Sequence, residues 1–202
     1  MWSSRQFFNQ TMYTNKEDFI AALKDTPAQA LMETWLDNPL PHVFSNEAGK
    51  NQFFTKISND WPEISVIQCA GTANWKYSLN PNKGFRPFSE HSDIDVISIS
   101  EELFDETWER MREVQRSRWY ELPYRERINL RRNGENIYSG FACPKWIPSQ
   151  TDTFRFKFTT SLDTYSVAEV GFRPVNMYFF KNRDEVIDYY RRGIEAAQRN
   201  LK

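Results

Sequence analysis

The stretch "HSDIDVISIS", residues 91 to 100, constrains this chain more than any other. Asp93 and Asp95 flank one isoleucine and open a run of β-branched apolar residues that reads as a buried strand. Aspartate is disfavoured in strands and costly to bury unless its charge is compensated. In a strand, residues i and i+2 project to the same face, so the two carboxylates point together from one strand mouth. Side by side they repel, and each raises the pKa of the other unless a cation lies between them. Mg²⁺ or Mn²⁺ suits that place. Hard ions favour carboxylate oxygen, and Mg²⁺ commonly combines one or two carboxylates with substrate phosphates.

The rest of the chain supplies a scaffold for such a strand. "TNKEDFIAALKDTPAQALMETWL" reads as helix from Thr14, capped by Asn15 or Thr14 and broken or restarted at Pro27. "SNEAGKNQFFTKISNDW" reads as a second helix with Phe53, Phe54 and Ile57 inward, and "ISVIQCAG" (64–71) as a short buried strand. "ANWKYSLNPNKGFRPFSEHS" is a long basic and aromatic loop, and "EELFDETWERMREVQRSRWYEL" a helix capped by Ser100. "GFACPKWIPSQTD" reads as irregular, "TFRFKFTT" alternates strictly and predicts a half-buried strand, and "RPVNMYFF" predicts another. "NRDEVIDYYRRGIEAAQRNLK" predicts a closing amphipathic helix capped near Asn182. With no internal repeat or linker, one mixed α/β (α+β) domain over residues 1–202 is the expectation. It has a small sheet flanked by helices, an N-terminal helical part over 14–60 and a core motif region over 64–115.

The strand over 64–71 ends in "CAGTANW", which places Gly71 and Thr72 in the turn. Glycine lets the backbone approach a triphosphate closely, and threonine adds a hydroxyl and an amide donor. Glycine-threonine, a loop, then "SDID" on the next strand resembles the polymerase-β-like nucleotidyltransferase superfamily. The shared part is residues 64 to 100 and the helix that follows, under a third of the chain. More closely, "GTANWKYSLNP…FRPFSEHSDIDVISISEELFDETW" is similar to a bacterial group of nucleotidyltransferase-like proteins, some of them in antiphage defence systems.

That resemblance implies an Mg²⁺- or Mn²⁺-dependent transferase. It would move a nucleoside monophosphate from an NTP or dNTP to a hydroxyl of a nucleotide, a nucleic-acid end or a protein. Asp93 and Asp95 would then be catalytic metal ligands, and Gly71 and Thr72 the phosphate turn with Ser92 in support. The stretch from Thr72 to Asp93 is longer than usual in the superfamily, so Lys76, Lys83 and Arg86 are expected to fold over the phosphates. Active members carry a third carboxylate on a later strand, where the matching position here holds Asn176. Asparagine brings a carbonyl oxygen but no charge. Asp152, Asp163 and Glu169 are the other candidates for the carboxylate. The alternative reading is a catalytically degenerate module of the same fold that binds nucleotide or nucleic acid, or serves as a partner subunit in a defence system.

A formal net charge of −1 gives no global signal for nucleic acid or membrane, so any phosphate-binding surface must come from local clustering. One such cluster is Arg116, Arg118, Arg125, Arg127, Arg131 and Arg132, with Trp119, Tyr120 and Tyr124 as stacking partners for a nucleic-acid strand. The same arginines also fit a solvated helix face paired with glutamates. His91 reads as a proton carrier or as a residue that hydrogen-bonds the turn. Tyr178, Tyr189 and Tyr190 read as core or interface residues, or as a hydroxyl acceptor. Cys69 and Cys143 lack metal-ligand spacing and read as reduced thiols of a cytosolic protein. The N-terminal stretch is polar and mixed, unlike a signal peptide or membrane span.

Overall fold

The computed structural model describes residues 12–148 and 152–201. The polar N-terminal stretch and residues 149–151 of the expected loop lie outside the described residues.

Helix starts follow their caps. Asn15 precedes α1 (Lys16–Asp25) and accepts from the Asp18 amide at 2.8 Å, while Asn46 precedes α3 (Glu47–Asp60) and accepts from Gly49 N at 2.9 Å. Each side chain satisfies an amide that has no partner within its helix. Between them Pro27 restarts the chain as α2 (Ala28–Leu36). Then come β1 (Val66–Ala70), the single turn α4 (Thr72–Trp75) and β2 (Ile94–Ile99). Next are α5 (Glu101–Arg118), capped by Ser100, α6 (Tyr124–Ile137) and β3 (Phe141–Ala142). The chain closes with α7 (Thr153–Thr164), β4 (Val175–Phe180) and α8 (Arg183–Arg199), the last capped by Asn182. The protein is thus a mixed α/β fold, with eight α-helices and a four-stranded sheet among the described residues.

The sheet order is β1-β2-β4-β3, with β1 antiparallel to β2, β2 parallel to β4 and β3 antiparallel to β4. Alternation along β2 feeds two cores. Ile94 and Val96 pack on one face with Phe53 and Ile57 of α3, Leu103 of α5 and Phe158 of α7. Ile97 and Ile99 pack on the other with Phe19 of α1, Trp35 of α2 and Ile194 of α8. Ile94, Val96 and Ile97 are wholly buried, each contributing about 2 kcal/mol of apolar burial. Asp95 occupies the α8-facing side of that alternation, because Ile97 two residues on does.

One expectation for the later chain is overturned. "TFRFKFTT" is not a half-buried strand but the start of α7. Phe154, Phe158 and Leu162 recur at i and i+4 and are buried, while Phe156 is 67% exposed, so a helical period lies inside the apparent alternation. Residues 124–137, which read as no defined element, form α6, whose buried residues are only Leu130 and Asn133. So sparse an apolar stripe leaves no periodic signal. The segment over 73–92, read as loop, holds α4, a 3₁₀ turn at Pro81–Lys83 and a bridge between Tyr77 and Pro87. Among the described residues no helix is long and apolar enough to cross a membrane.

Candidate active site

β1 ends in a turn that only glycine fits comfortably. Gly71 has φ 59° and ψ −149°, a region closed to residues bearing a Cβ. The turn is held by Asn74, which is wholly buried. Its side-chain nitrogen donates to the Trp35 carbonyl at 2.7 Å and the Cys69 carbonyl at 2.8 Å, and its oxygen accepts from Asn38 at 2.7 Å. Trp75 stacks on Trp35 with ring centroids 4.4 Å apart, so the segment after the turn is fixed to α2.

From Trp75 the chain runs out and back. Ser78 N donates to the Arg86 carbonyl at 3.0 Å and Phe88 N to the Lys76 carbonyl at 2.7 Å, which returns Lys83 and Arg86 toward the strand mouth. Lys76 does not join them. Its ammonium donates to the Thr14 carbonyl at 3.0 Å, tying the loop to the start of α1. Ser92 is buried and its hydroxyl accepts from Ser89 N at 3.0 Å, shaping the last turn before the acidic pair. His91 stays outside, with a side chain 87% exposed beside Glu90.

Asp93 stands just before β2 and Asp95 is its second residue. Across the parallel pair Asp95 faces Asn176 in direct register. The Asn176 side-chain nitrogen donates to Asp93 Oδ2 at 3.0 Å and to Asp95 Oδ1 at 3.3 Å. Burial first, then the neighbouring Asp93 charge, push Asp95 up to about 6, while the Asn176 hydrogen bond and Lys83 pull it back.

One cleft of about 640 Å³ gathers Gly71, Thr72, Lys83, Arg86, Ser92, Asp93 and Asp95, whereas Lys76, also expected over the phosphates, is not among its lining residues. That volume lies within the range of small-molecule sites. Another wall is formed by Tyr189, Tyr190, Arg192 and Gly193 of α8; sequence reasoning singled out the two tyrosines without placing them here and missed Arg192 and Gly193. The signal was present: Val186, Ile194 and Ala197 are the buried residues of that helix, whereas Tyr189, Arg192 and Gly193 recur three or four apart on another face. Burial raises the Tyr190 phenol well above its ordinary value and the Tyr189 phenol less, so both act as neutral walls near neutral pH.

The donors suit a hard divalent ion. Two carboxylates converge with the carbonyl-bearing amide of Asn176, all oxygen ligands once that amide turns over. Among the described residues no group of three or more His, Cys, Asp and Glu stands together, so a third carboxylate is not part of this set. Of the three alternatives, Asp152 caps α7 through Arg155 N at 2.8 Å and pairs with Arg110 at 2.8 Å. Glu169 packs near Gly49 of α3 and lines a separate groove with Asn51. Asp163 lines a second groove, and Asn176 lines it too.

The arginine cluster lies apart from the cleft. Arg127 and Arg131 sit 6.0 and 5.0 Å from the Trp119 ring centre, Arg132 sits 5.6 Å from that of Trp146, and Arg118 pairs with Glu121 at 3.3 Å. Tyr120 and Tyr124 are exposed. Cys69 and Cys143 are buried free thiols, and burial pushes Cys143 up to about 12.

No family model, curated protein or solved structure gives a significant match to the chain.

Proposed function

We propose that this protein is a metal-dependent nucleotidyltransferase that moves a nucleoside monophosphate from an NTP or dNTP to a hydroxyl acceptor. The observation that carries the reading is the convergence in one cleft of Asp93, Asp95, the Gly71–Thr72 turn, Lys83 and Arg86. Lys83, Arg86 and Arg192 bring positive charge to triphosphate oxygens, and Gly71 lets the backbone approach them. Mg²⁺ or Mn²⁺ held by Asp93 and Asp95 would neutralise phosphate charge and favour the alkoxide form of the acceptor. The acceptor oxygen bonds to the α-phosphorus in line as the bond to the bridging oxygen breaks. Pyrophosphate departs and the hydroxyl proton passes to solvent or a nearby carboxylate. A place in antiviral defence rests on the resemblance carried by residues 64 to 100 and the helix that follows.

One observation favours a second reading, a degenerate module that binds nucleotide without turnover. The Asn176 amide already occupies the near oxygens of both aspartates and adds no charge of its own.

The test is incubation of the purified protein with Mg²⁺ or Mn²⁺ and each α-labelled NTP and dNTP, beside an Asp93→Ala/Asp95→Ala double variant. Products are separated into free oligomers, labelled nucleic acid and labelled protein. Label that requires both aspartates supports transfer and identifies the acceptor class. Metal-dependent nucleotide binding with no label from any nucleotide supports the module.

A further inference from the structure

Six arginines and no lysine stand between Arg116 and Arg132, and their surroundings decide between a salt-bridged face and a binding surface. Other arginines of α5 and α8 pair with carboxylates. Arg110 reaches Glu106 and Asp152, Arg112 reaches Glu109, and Arg191 reaches Asp188 and Glu195. In the cluster Arg118 alone does so, to Glu121 at 3.3 Å. The other five pair with no carboxylate among the described residues, so the face is not neutralised by its own glutamates. Arg116 and Arg118 close α5, where the helix dipole favours cations. Arg125 and Arg127 have no such reason. They stand at the start of α6, the end at which the dipole disfavours positive charge.

Helical spacing sorts the side chains of α6. Leu130 and Asn133 mark the side packed on the protein, and Glu126, four residues before Leu130, turns the same way. Opposite them Tyr124 and Ile128, also four apart, form an exposed ridge. Arg127 and Arg131 follow one flank of the ridge, held over Trp119 with 6.0 and 5.0 Å to its ring centre. Arg125 and Arg132, seven apart, follow the other flank. Glu135 is the one acid on this face of α6, at its far end. Tyr124 is 72% exposed, and Tyr120, in the turn before α6, is 92% exposed. Rings presented to water between cations are the means by which proteins hold single strands, through base stacking and phosphate attraction.

We infer that this face of α6 binds single-stranded nucleic acid, with bases on Tyr124 and Tyr120 and phosphates on the arginines of the two flanks. Guanidinium forks match phosphate oxygens in pairs and stack on planar groups, which lysine does not do. From Tyr124 to Arg132 the helix runs about 12 Å, enough for three or four phosphates at roughly 3.4 Å each, against four flanking arginines. A duplex hides the base faces that the tyrosines need. A helix lying in a membrane surface carries Trp, Phe or Leu on its apolar side, whereas this ridge offers a tyrosine and one isoleucine. The inference stands apart from the transfer reading, because strand binding is measured without nucleotide or metal.

The experiment follows the fluorescence anisotropy of fluorescein-labelled single-stranded oligodeoxythymidylate and oligouridylate with the full chain in chelator. At low salt at least one strand binds, and the matching duplex competes poorly. Affinity falls with salt at a log–log slope of about −3, since each of four phosphate contacts contributes about 0.7. Arg125→Ala/Arg132→Ala makes that slope shallower by about 1.4 and weakens binding about tenfold or more at low salt. Tyr124→Ala weakens it about fivefold or more, whereas Tyr124→Trp retains it. All three side chains are exposed, so Tm and far-UV circular dichroism stay as in wild type. Lys24→Ala/Arg199→Ala removes the same charge from exposed positions on α1 and α8 and leaves affinity and slope unchanged. The Asp93→Ala/Asp95→Ala variant still binds, so a dead transferase does not imitate a failed strand site. Absence of strand binding overturns the inference, and so does binding indifferent to Arg125, Arg132 and Tyr124. An equal loss in Lys24→Ala/Arg199→Ala overturns it too, because net charge alone would then account for the binding. Equal competition by duplex overturns the single-strand assignment. Phosphatidylserine vesicles that bind the chain in preference to either strand would assign the face to a membrane surface instead.

Discussion

Asp95 and Asn176 are direct partners across the parallel strands β2 and β4, and the Asn176 amide donates to the Asp95 carboxylate at 3.3 Å. The same nitrogen reaches Asp93 at 3.0 Å, so one neutral side chain holds together two groups that repel. An amide can turn over and present its oxygen to an incoming cation, which a fixed donor cannot do. Asn176 is therefore a clasp for the acidic pair, and under the proposed function its amide would turn over to serve as a ligand.

Replacing Asn176 by Asp separates these roles. In chelator the variant loses two hydrogen bonds to charged acceptors and gains a third like charge, a destabilisation of about 2 kcal/mol or more. With Mn²⁺ the added charge strengthens cation binding, so the metal-induced rise in Tm exceeds that of wild type. Thermal unfolding with and without Mn²⁺ measures both effects. Equal metal-induced shifts in the two proteins would show that Asn176 does not face a bound ion.

The raised pKa of Asp95 sets a pH dependence of known sign. The folded group titrates at about 6 against an ordinary 3.8, so between these values the native state binds more protons than the unfolded chain. The stability it contributes is full below about 4 and is lost as pH rises through 6. Asp95→Asn abolishes that loss. Measured by urea unfolding, the variant gains stability relative to wild type between pH 4 and pH 7.5, by at most about 3 kcal/mol and less with solvent screening. A difference that stays constant with pH would contradict the assigned environment.

Gly71→Ala probes the turn without crowding the site. A Cβ there would lie 3.7 Å from Asp95 Oδ2, an ordinary contact, so the penalty comes from backbone conformation alone. At φ 59° and ψ −149° it amounts to about 1–3 kcal/mol. Urea unfolding reads the loss of stability, and titration with a fluorescent nucleotide reads a parallel loss of affinity as the turn shifts. Wild-type stability in the variant would mean that the turn tolerates a side chain.

The acidic pair and the Gly71–Thr72 turn were legible because they depend on local rules: i and i+2 share a strand face, and a glycine closes a strand. The closing helix was legible through its Asn182 cap and amphipathic stripe. The α8 wall of the cleft was legible only in part: the spacing of Tyr189, Arg192 and Gly193 marks one helix face, but that this face lines the cleft of Asp95 follows from the packing of α8 against the sheet. Asn74 was hidden for a related reason. Its partners Trp35, Cys69 and Asn38 are brought together by tertiary packing of α2 on β1. Nor does Asn176 reveal its double hydrogen bond until the β2–β4 register is known.

The misread segment over 153–160 yields the sharpest contrast. A half-buried strand would place Phe154, Phe156 and Phe158 on one face, so truncation at each position would cost a similar amount. In α7, Phe158 is wholly buried against Trp61 and Phe179, with ring centroids 6.1 and 5.4 Å apart, whereas Phe156 is 67% exposed. Phe158→Ala removes an aromatic side chain from the core and leaves a cavity, a loss of about 3–5 kcal/mol. Phe156→Ala removes surface already in water and changes stability by about 0.5 kcal/mol or less. Urea unfolding of the two variants side by side checks the helix, and equal losses at both positions would restore the strand.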